Sequence, residues 1–370
     1  MNAEEIAQKL SVGGFRQKNC FIGFDGFIDH IVSLVDQRSD PEHFSPIQTI
    51  CELSGRIGHF SGRNGSIERV VKESRLGGNA PLFSTALSLG KHSITFMGPI
   101  GETKGNSLFT PLREKCRQVY SLGSPAMTEA WEFSDGKIFL GDHHSLHRIT
   151  VTKIREKLSL KKWRELFSSL DCIATLNWSM VLAMNEIWEF FLEEIFSQGG
   201  LLQKPLFFVD FADLKRREHG DIKRALILLN RIGHYTRLVL SCNLSEAEQL
   251  AFQQGYRVRK GHPPSLSLLG EKILQNEGIA LLTIHQSSQI YSSDRKSVRK
   301  ITPPPCICPR IQTGAGDHYN AGYCNALLFE WTHEDAALLG LGFAGAYIRL
   351  GKTPTLGEVS SFLREYSLNS

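Results

Sequence analysis

One short stretch, residues 313–322 with the sequence TGAGDHYNAG, combines residue types that could hold a phosphate group and transfer it. Gly314, Ala315 and Gly316 are small, so the backbone can turn tightly and direct successive N–H groups toward one point at the start of a helix. Asp317 follows in the first turn, where a carboxylate could take the proton from an attacking hydroxyl. The alternative is a glycine-rich loop in which Asp317 only complements the helix dipole.

Two further aspartates, Asp25 and Asp29, lie in an otherwise apolar stretch near the N-terminus. Burying a carboxylate without a partner is costly, so each needs hydrogen-bond donors. The hydroxyl groups of a sugar would supply such donors. The alternative is a pair of capping or turn aspartates that bind only the local backbone.

An amide and a carboxylate, Asn243 and Glu246, follow an apolar stretch at the start of a predicted helix. Mg²⁺ keeps several of its waters and needs few protein ligands, so two such groups one helical turn apart are sufficient to order it. The alternative is a helix N-terminus in which Asn243 is the cap and Glu246 favours the dipole.

The elements that must position these residues alternate between strands and helices from residue 171 onward, which is typical of a parallel α/β sheet. Ligands bind such sheets beyond the carboxyl ends of the strands. Asp25, Asn177, Asp210, Asn243 and the loop at Gly314 all follow predicted strands. We therefore expect these residues to form one site.

Two segments do not fit the α/β alternation, and we interpret them as a lid inserted in a single domain that spans residues 1–370. Residues 33–74 lack a sustained hydrophobic period, and residues 128–148 begin with a hairpin around an Asp-Gly turn. The hairpin carries more apolar surface than a solvated ribbon needs, so we expect it to contact the lid of a second subunit in a homodimer. The side chains concerned are Trp131, Phe133, Ile138 and Phe139.

The composition excludes several other classes of protein. The chain has 370 residues, of which 41% are hydrophobic and 22% charged, and its net charge is +4 with the basic residues scattered. We therefore expect a large globular protein without a nucleic-acid partner. The eight cysteines include no CxxC pair, which fits reduced thiols in the cytoplasm. No uncharged run reaches the ~20 residues that span a membrane.

The motif Gly-Ala-Gly-Asp at 314–317 resembles the C-terminal signature of the ribokinase-like (PfkB) carbohydrate kinase family, and Tyr319 and Gly322 fit further positions of it. Residues 77–79, Gly-Gly-Asn, resemble the family's N-terminal signature. Residues 243–246 resemble its Asn-x-x-Glu motif, which orders Mg²⁺. The motifs occur in the family's order, and the resemblance extends over nearly the whole chain.

This resemblance implies an α/β, ribokinase-like fold with a central, mostly parallel sheet flanked by helices and a small β lid. It also implies transfer of the γ-phosphoryl group of a nucleoside triphosphate, usually ATP, to a hydroxyl of a sugar-like molecule with the help of Mg²⁺, and it allows a monovalent-cation site beside the loop. The residues implied are Asp317, Gly314, Ala315 and Gly316 for catalysis; Asp25, Asp29, Gly77, Gly78, Asn79 and Asn177 for the acceptor; Asn243, Thr313 and Gly316 for the nucleotide; and Asn243 and Glu246, through water, for the metal.

The chain departs from the family pattern at three places. Ile311 and Gln312 replace the usual Asp-Thr pair before the loop, and Leu82 replaces an Asn that usually contacts substrate. The stretch 283–288, TIHQSS, replaces a glycine-containing motif on the nucleotide side. These departures leave open a nucleoside kinase of the same family or a catalytically silent binding protein. The intact Gly-Ala-Gly-Asp motif argues against the silent protein, because a binding protein needs no base.

Overall fold

The computed structural model describes residues 1–102, 106–257 and 264–369. In chain order its strands are β1 Asn19–Gly23, β2 Phe27–Arg38, β3 Phe44–Pro46, β4 Arg69–Gly77, β5 Ser93–Gly98, β6 Gln118–Ser121, β7 Ala126–Phe133, β8 Gly136–Asp142, β9 Cys172–Leu176, β10 Leu206–Asp210, β11 Arg237–Asn243, β12 Ile279–His285, β13 Ile290–Ser293 and β14 Val298–Ile301.

The central sheet has the strand order β14-β13-β12-β11-β10-β9-β1-β5-β6 within the described residues. Strands β12, β11, β10, β9, β1, β5 and β6 are parallel, and β13 and β14 add an antiparallel edge. The strands in the middle are buried along their whole length, as expected when helices cover both faces of a parallel sheet. The predicted α/β fold with a mostly parallel sheet is confirmed.

Helices form a layer on each face of this sheet. Helices α6 to α11 contribute to one apolar cluster, and helices α1, α3, α4 and α12 to α14 contribute to the other. The helices are α1 Ala3–Val12, α2 Ile50–His59, α3 Asn79–Leu87, α4 Thr110–Lys115, α5 His144–His147, α6 Val151–Lys157, α7 Leu160–Ser168, α8 Met184–Phe190 with a π-helical continuation Phe191–Phe196, α9 His219–Tyr235, α10 Leu244–Gln253, α11 Leu266–Ile273, α12 Ala315–Leu328, α13 His333–Leu350 and α14 Leu356–Asn369.

A second, smaller sheet is built around the long strand β2. This strand pairs with β4 and β3 in antiparallel fashion and with β7 in parallel fashion, and β8 completes the hairpin with β7. The small sheet begins at Phe27 and ends its first segment at Gly77, so it is wider than the predicted segment 33–74. The reason is that β2 has neighbours on both edges and four consecutive buried residues at 32–35, so its apolar residues show no clean alternation.

One face of the small sheet packs against α2, around a cluster of Val32, Leu34, Ile47 and Leu53. Three of the four hairpin side chains that we expected to meet a second subunit, Trp131, Phe133 and Ile138, pack against this cluster instead. Only Phe139 of the four remains largely exposed, at 55%. These three side chains therefore have partners within the chain, which the sequence did not predict because it did not predict the helix that covers them; contact of the hairpin with a second subunit stays a prediction.

Close packing of α12 against α13 fixes the start of α12. A Cβ atom at Gly322 would lie 2.8 Å from the carbonyl oxygen of Leu339, and a Cβ atom at Gly340 would lie 2.8 Å from the ring of Tyr319. Glycine at both positions lets the two helix backbones approach each other. Across the described residues, the helices lack the combination of length and apolarity that a membrane span requires.

Candidate active site

Five polar side chains lie at the carboxyl ends of neighbouring strands, and three of them, Asp210, Asn243 and His285, line one cleft. Asp25 follows β1, Asn177 follows β9, Asp210 ends β10, Asn243 ends β11 and His285 ends β12. The start of α12 faces the same cleft, since Asp317 and Asp210 line a common cavity. The structure therefore brings together the strand-end residues that the sequence predicted, and it adds His285 to them.

The loop before α12, around Gly314, has the conformation of an anion-binding site, and we call it the anion loop. Gly314 has φ = +87°, and a Cβ atom there would lie 2.9 Å from both Leu82 Cδ1 and the Tyr347 hydroxyl oxygen. Within the described residues the backbone N–H groups of Gly316 and Asp317 have no acceptor. These two donors and the helix dipole can hold the oxygens of a phosphate group. Leu82, which replaces a usual substrate-binding Asn, thus packs against the loop.

Side chains that the sequence analysis missed hold this loop in place. The Tyr347 hydroxyl donates to the Thr313 carbonyl at 2.9 Å, and the His318 ring stacks on Tyr347 with centroids 3.7 Å apart. His318 Nδ1 is 2.8 Å from the Gly314 carbonyl, which can only accept, so Nδ1 carries the proton. Nε2 then accepts from the Thr353 hydroxyl at 3.0 Å. The one sequence feature that could have indicated these contacts is that His318 directly follows Asp317.

Asp317 lies where several carboxylates converge. Burial raises its pKa well above the usual range, and the charges of Asp210 and Asp25 raise it further. A hydrogen bond from the Asn79 side chain opposes this shift. Asp210 accepts from Asn320 Nδ2 of α12 at 2.6 Å, and burial raises the pKa of Asp210 to about 6. A raised pKa makes Asp317 a stronger base than an exposed aspartate.

Asp25 is fully buried, and its carboxylate binds groups of the protein itself. One oxygen accepts from the backbone N–H of Ala80 at 2.7 Å, and the other accepts from the backbone N–H of Asn79 at 2.9 Å and from Asn177 Nδ2 at 2.8 Å. Asp25 therefore caps α3, for which Gly78 supplies no side chain. This geometry favours a positioning role over the acceptor contact expected from the sequence. Burial raises its pKa to about 6.

Asp29 lies on strand β2 and its carboxylate faces a cavity beneath the small sheet. A Cβ atom at Gly77 would lie 2.5 Å from this carboxylate, so glycine is needed there for Asp29 to approach the backbone. Burial and the charge of Asp25 raise the pKa of Asp29 to about 6, against the opposing effects of a Thr128 hydrogen bond and of Arg75. One role of the glycine pair at 77–78 is therefore to let an aspartate side chain approach the backbone.

We call the space beneath the small sheet the small-sheet cavity; its volume is about 300 Å³. It is strongly polar, and its cations include Arg75, paired with Glu73 at 2.6 Å, and Lys137, paired with Glu132 at 2.6 Å. Its walls also include Asp29, Thr128, Phe139, Thr313 and Tyr347. Thr313, expected on the nucleotide side, lines this cavity instead.

Asn243 and Glu246 form a capping box at the start of α10. Asn243 Oδ1 accepts from the Glu246 N–H at 3.0 Å, and the Glu246 carboxylate accepts from the Asn243 N–H at 2.9 Å. The helix-cap alternative is therefore realised. Both residues nevertheless line the central cavity, of about 370 Å³, together with Asp210, Asp213 and Asp317.

Electrostatics in the central cavity fit a divalent cation. Burial raises the pKa of Glu246 well above its usual range, and the charge of Asp210 raises it further; Asp210 also raises the pKa of Asp317. A cation between these carboxylates would relieve their repulsion. Within the described residues no cluster of His, Cys, Asp and Glu could coordinate a metal by itself. Mg²⁺ held largely through waters and a ligand's phosphates fits this arrangement.

A third space, the apolar cavity, has a volume of about 420 Å³ and lies on the other side of the loop. Its walls include Ile290, Pro303, Leu341 and Ile348, which suit a flat, largely apolar group. Gly316 and His285 line both the apolar and the central cavity. A ligand could therefore extend from one cavity into the other past these two residues.

The fold matches that of solved sugar kinases. Ribokinase from Thermotoga maritima aligns with a TM-score of 0.61 and 13% identity over 94% of this chain and 100% of its own. A mutant phosphofructokinase-2 from Escherichia coli aligns with a TM-score of 0.64 and 12% identity over 95% and 99%. A ribokinase II from E. coli, solved with ATP and Mg²⁺, gives a TM-score of 0.62 and 12% identity over 95% and 100%.

Sequence comparison is more specific than the fold. A ketohexokinase from Haloferax volcanii is 22% identical over 352 residues, which cover 93% of this chain and 90% of that protein. The family model for prokaryotic ketohexokinase matches residues 4–366, and this range contains every strand, the anion loop and all the cleft residues described above. The chain is therefore a carbohydrate kinase of the ribokinase-like type, and it belongs to the prokaryotic ketohexokinase family.

Proposed function

We propose that this protein transfers the γ-phosphoryl group of ATP to a hydroxyl group of a ketohexose. The observation that carries the proposal is that Asp317 lies at the start of α12, where two backbone N–H groups have no acceptor within the described residues. The loop before this helix borders the small-sheet cavity through Thr313 and the apolar cavity through Gly316. The ketohexose is inferred from the family and from the polar small-sheet cavity, whose volume suits a molecule of this size.

In the proposed reaction, Asp317 takes the proton of the acceptor hydroxyl while the oxygen attacks the γ-phosphorus. A bond forms between that oxygen and phosphorus, and the bond from phosphorus to the bridging oxygen of the nucleoside diphosphate breaks. The N–H groups of Gly316 and Asp317 stabilise the charge on the transferred group. Asp29 accepts hydrogen bonds from the sugar, and Asp25 positions Asn79 and Asn177 behind it.

Mg²⁺ is proposed to bind in the central cavity, where Asn243 and Glu246 would contact its waters. When bound, the ion supplies positive charge to the phosphate oxygens. The role of Glu246 is then to orient the water shell, in addition to capping α10.

Glu246→Gln is expected to raise the Mg²⁺ concentration required for half-maximal rate by about tenfold, the lower end of the effect of losing such an outer contact. Glutamine keeps the shape and one oxygen acceptor for the Asn243 N–H, but it loses the charge. Initial rates measured over a Mg²⁺ titration test this. Glu248→Gln on the same helix is the control, because Glu248 does not line the cavity. An unchanged Mg²⁺ dependence would leave Glu246 with the helix-cap role alone.

Three expectations from the sequence remain proposals: closure of the small sheet as a lid, a monovalent cation beside the loop, and a homodimer through the lid. The support for a dimer is now the exposed apolar surface of Met127, Phe139 and Leu140 on the hairpin. Phe139 also lines the small-sheet cavity, so contact with bound acceptor is an equally direct use for it.

The proposed function is tested by incubating the purified protein and Mg²⁺ with ATP or another nucleoside triphosphate and a panel of acceptors. The panel contains fructose, other ketohexoses, aldohexoses, ribose and adenosine. We expect the highest kcat/KM for a ketohexose with ATP. Preference for adenosine would make the protein a nucleoside kinase. Thermal stabilisation by a ligand without phosphoryl transfer to any acceptor would make it a silent binding protein.

A further inference from the structure

His285 occupies an unusual place for a histidine. It ends strand β12, in the stretch TIHQSS where related kinases carry glycine, and it lies opposite Asn243 in the parallel pairing with β11. Its Nε2 atom is buried and has no hydrogen-bond partner within the described residues. A buried polar atom without a partner lowers the stability of the fold, and a ligand group that accepts a hydrogen bond would satisfy it.

The imidazole ring packs directly on the anion loop. A Cβ atom at Gly316 would lie 3.2 Å from His285 Cε1, and the ring of Tyr319 is 4.8 Å away, centroid to centroid. Tyr319 is in turn held by a 2.6 Å hydrogen bond to the Thr283 hydroxyl on the same strand. These neighbours therefore fix the position of His285, and within the described residues none of them satisfies Nε2.

His285 lies between two cavities, and this position indicates which part of a bound nucleotide would lie beside it. In the proposed reaction the γ-phosphoryl group lies in the central cavity, next to Asp317, and the nucleoside lies in the apolar cavity. His285 and Gly316 line both spaces. The part of a nucleotide that connects a nucleoside to its γ-phosphoryl group is the α- and β-phosphates, so these must pass beside His285 and Gly316.

We propose that His285 binds the middle of the nucleotide's phosphate chain and donates a hydrogen bond from Nε2 to a phosphate oxygen. The contact would make His285 a binding residue on the side where the glycine motif of related kinases is absent. This inference rests on the proposed function, because it requires a nucleotide as the phosphoryl donor.

The chemistry of the ring is consistent with this role. Burial lowers the pKa of His285 to about 4, so the ring is neutral near pH 7 and carries one N–H. A phosphate oxygen can only accept, so binding selects the tautomer with the proton on Nε2. A charge-assisted hydrogen bond of this kind is among the stronger ones in proteins.

Two variants of His285 separate a ligand contact from a structural role. His285→Leu keeps the bulk of the ring and removes the donor, and His285→Gln keeps a side-chain N–H donor. The control is His92→Leu, since His92 is another buried histidine but precedes β5, at the opposite end of the sheet from the cleft. For each variant we measure ADP binding by calorimetric titration in the presence of Mg²⁺. We also measure steady-state kinetics and the melting temperature of the ligand-free protein.

We expect His285→Leu to weaken ADP binding and raise the KM for ATP by about 10- to 100-fold, the effect of losing a hydrogen bond to a charged group. The acceptor KM should not change, and the melting temperature should rise, since a buried unpaired polar atom is removed. His285→Gln should retain most of the affinity, and His92→Leu should bind ADP like the wild type.

Unchanged ADP affinity in His285→Leu, with normal binding by the wild type, would overturn the contact and leave the proposed function intact. A lower melting temperature combined with equal losses for nucleotide and acceptor would also overturn it, because that pattern identifies a structural residue. A wild-type protein that binds no nucleoside di- or triphosphate would overturn both the contact and the proposed function.

Discussion

Asp317→Asn is expected to lower kcat by a factor of about 10²–10⁴, the usual contribution of a positioned general base. Asparagine fills the same space and keeps the Asn79 contact possible, but it cannot take the proton from the acceptor hydroxyl. Affinity for ADP should fall little, because the N–H groups of Gly316 and Asp317 that face the phosphate belong to the backbone. Single-turnover rates with saturating acceptor and ATP measure the loss.

The same substitution is expected to raise the melting temperature of the ligand-free protein by about 1–3 °C. The pKa of Asp317 is raised in the folded state, so the charged form is disfavoured there, and wild-type stability should rise as the pH falls from this raised pKa toward the ordinary pKa of an aspartate. A neutral side chain removes the repulsion from Asp210 and Asp25. Loss of activity together with gain of stability is the signature of a functional group held at a cost to the fold.

Glu334→Gln is the matched control for Asp317→Asn. Glu334 lies in the first turn of α13, the neighbouring helix, so it shares the helix-dipole environment without facing the cleft. Its replacement should leave kcat unchanged. Equal and small effects of the two substitutions on kcat would assign to Asp317 only the dipole role and remove it as the base.

The parallel sheet and the strand-end residues could be predicted from the sequence because their signals are local. Strand β10, for example, is five consecutive buried residues that end in Asp210, between segments of helical period. The carboxyl ends of parallel strands meet at one edge, so the convergence of Asn177, Asp210 and Asn243 followed from the fold class alone.

The residues that fix the site could not be predicted in this way because their partners are distant in the chain. Tyr347 reaches the Thr313 carbonyl from another helix, and Leu82 packs against Gly314 from α3. Asp25 and Asp29 have similar sequence environments, but the turn between β1 and β2 directs Asp25 under α3 and Asp29 into the small-sheet cavity. Only the three-dimensional arrangement separates a positioning carboxylate from one that faces a ligand.

The second large effect is expected at Asp29. Asp29→Ala should raise the acceptor KM and lower kcat together, each by about tenfold or more, because a carboxylate that orients the sugar contributes both to binding and to the alignment of its hydroxyl group. The affinity for ADP should not change, since Asp29 faces the small-sheet cavity and not the apolar one. Asp142→Ala, at the end of β8 and outside the cavity, is the control.

The pH dependence gives a sharper test of the same residue. Burial and the charge of Asp25 raise the pKa of Asp29 to about 6, so lowering the pH through this value protonates the carboxylate and removes an acceptor for sugar hydroxyls. In the wild type the acceptor KM should therefore rise between about pH 7 and about pH 5. In Asp29→Asn it should be high and nearly constant over that range, although Asp25 and Asp210, whose pKa values are also about 6, still titrate. If the acceptor KM of Asp29→Asn kept the wild-type pH profile, the pH dependence would arise from Asp25 or Asp210. Binding of the acceptor would then not depend on the charge of Asp29.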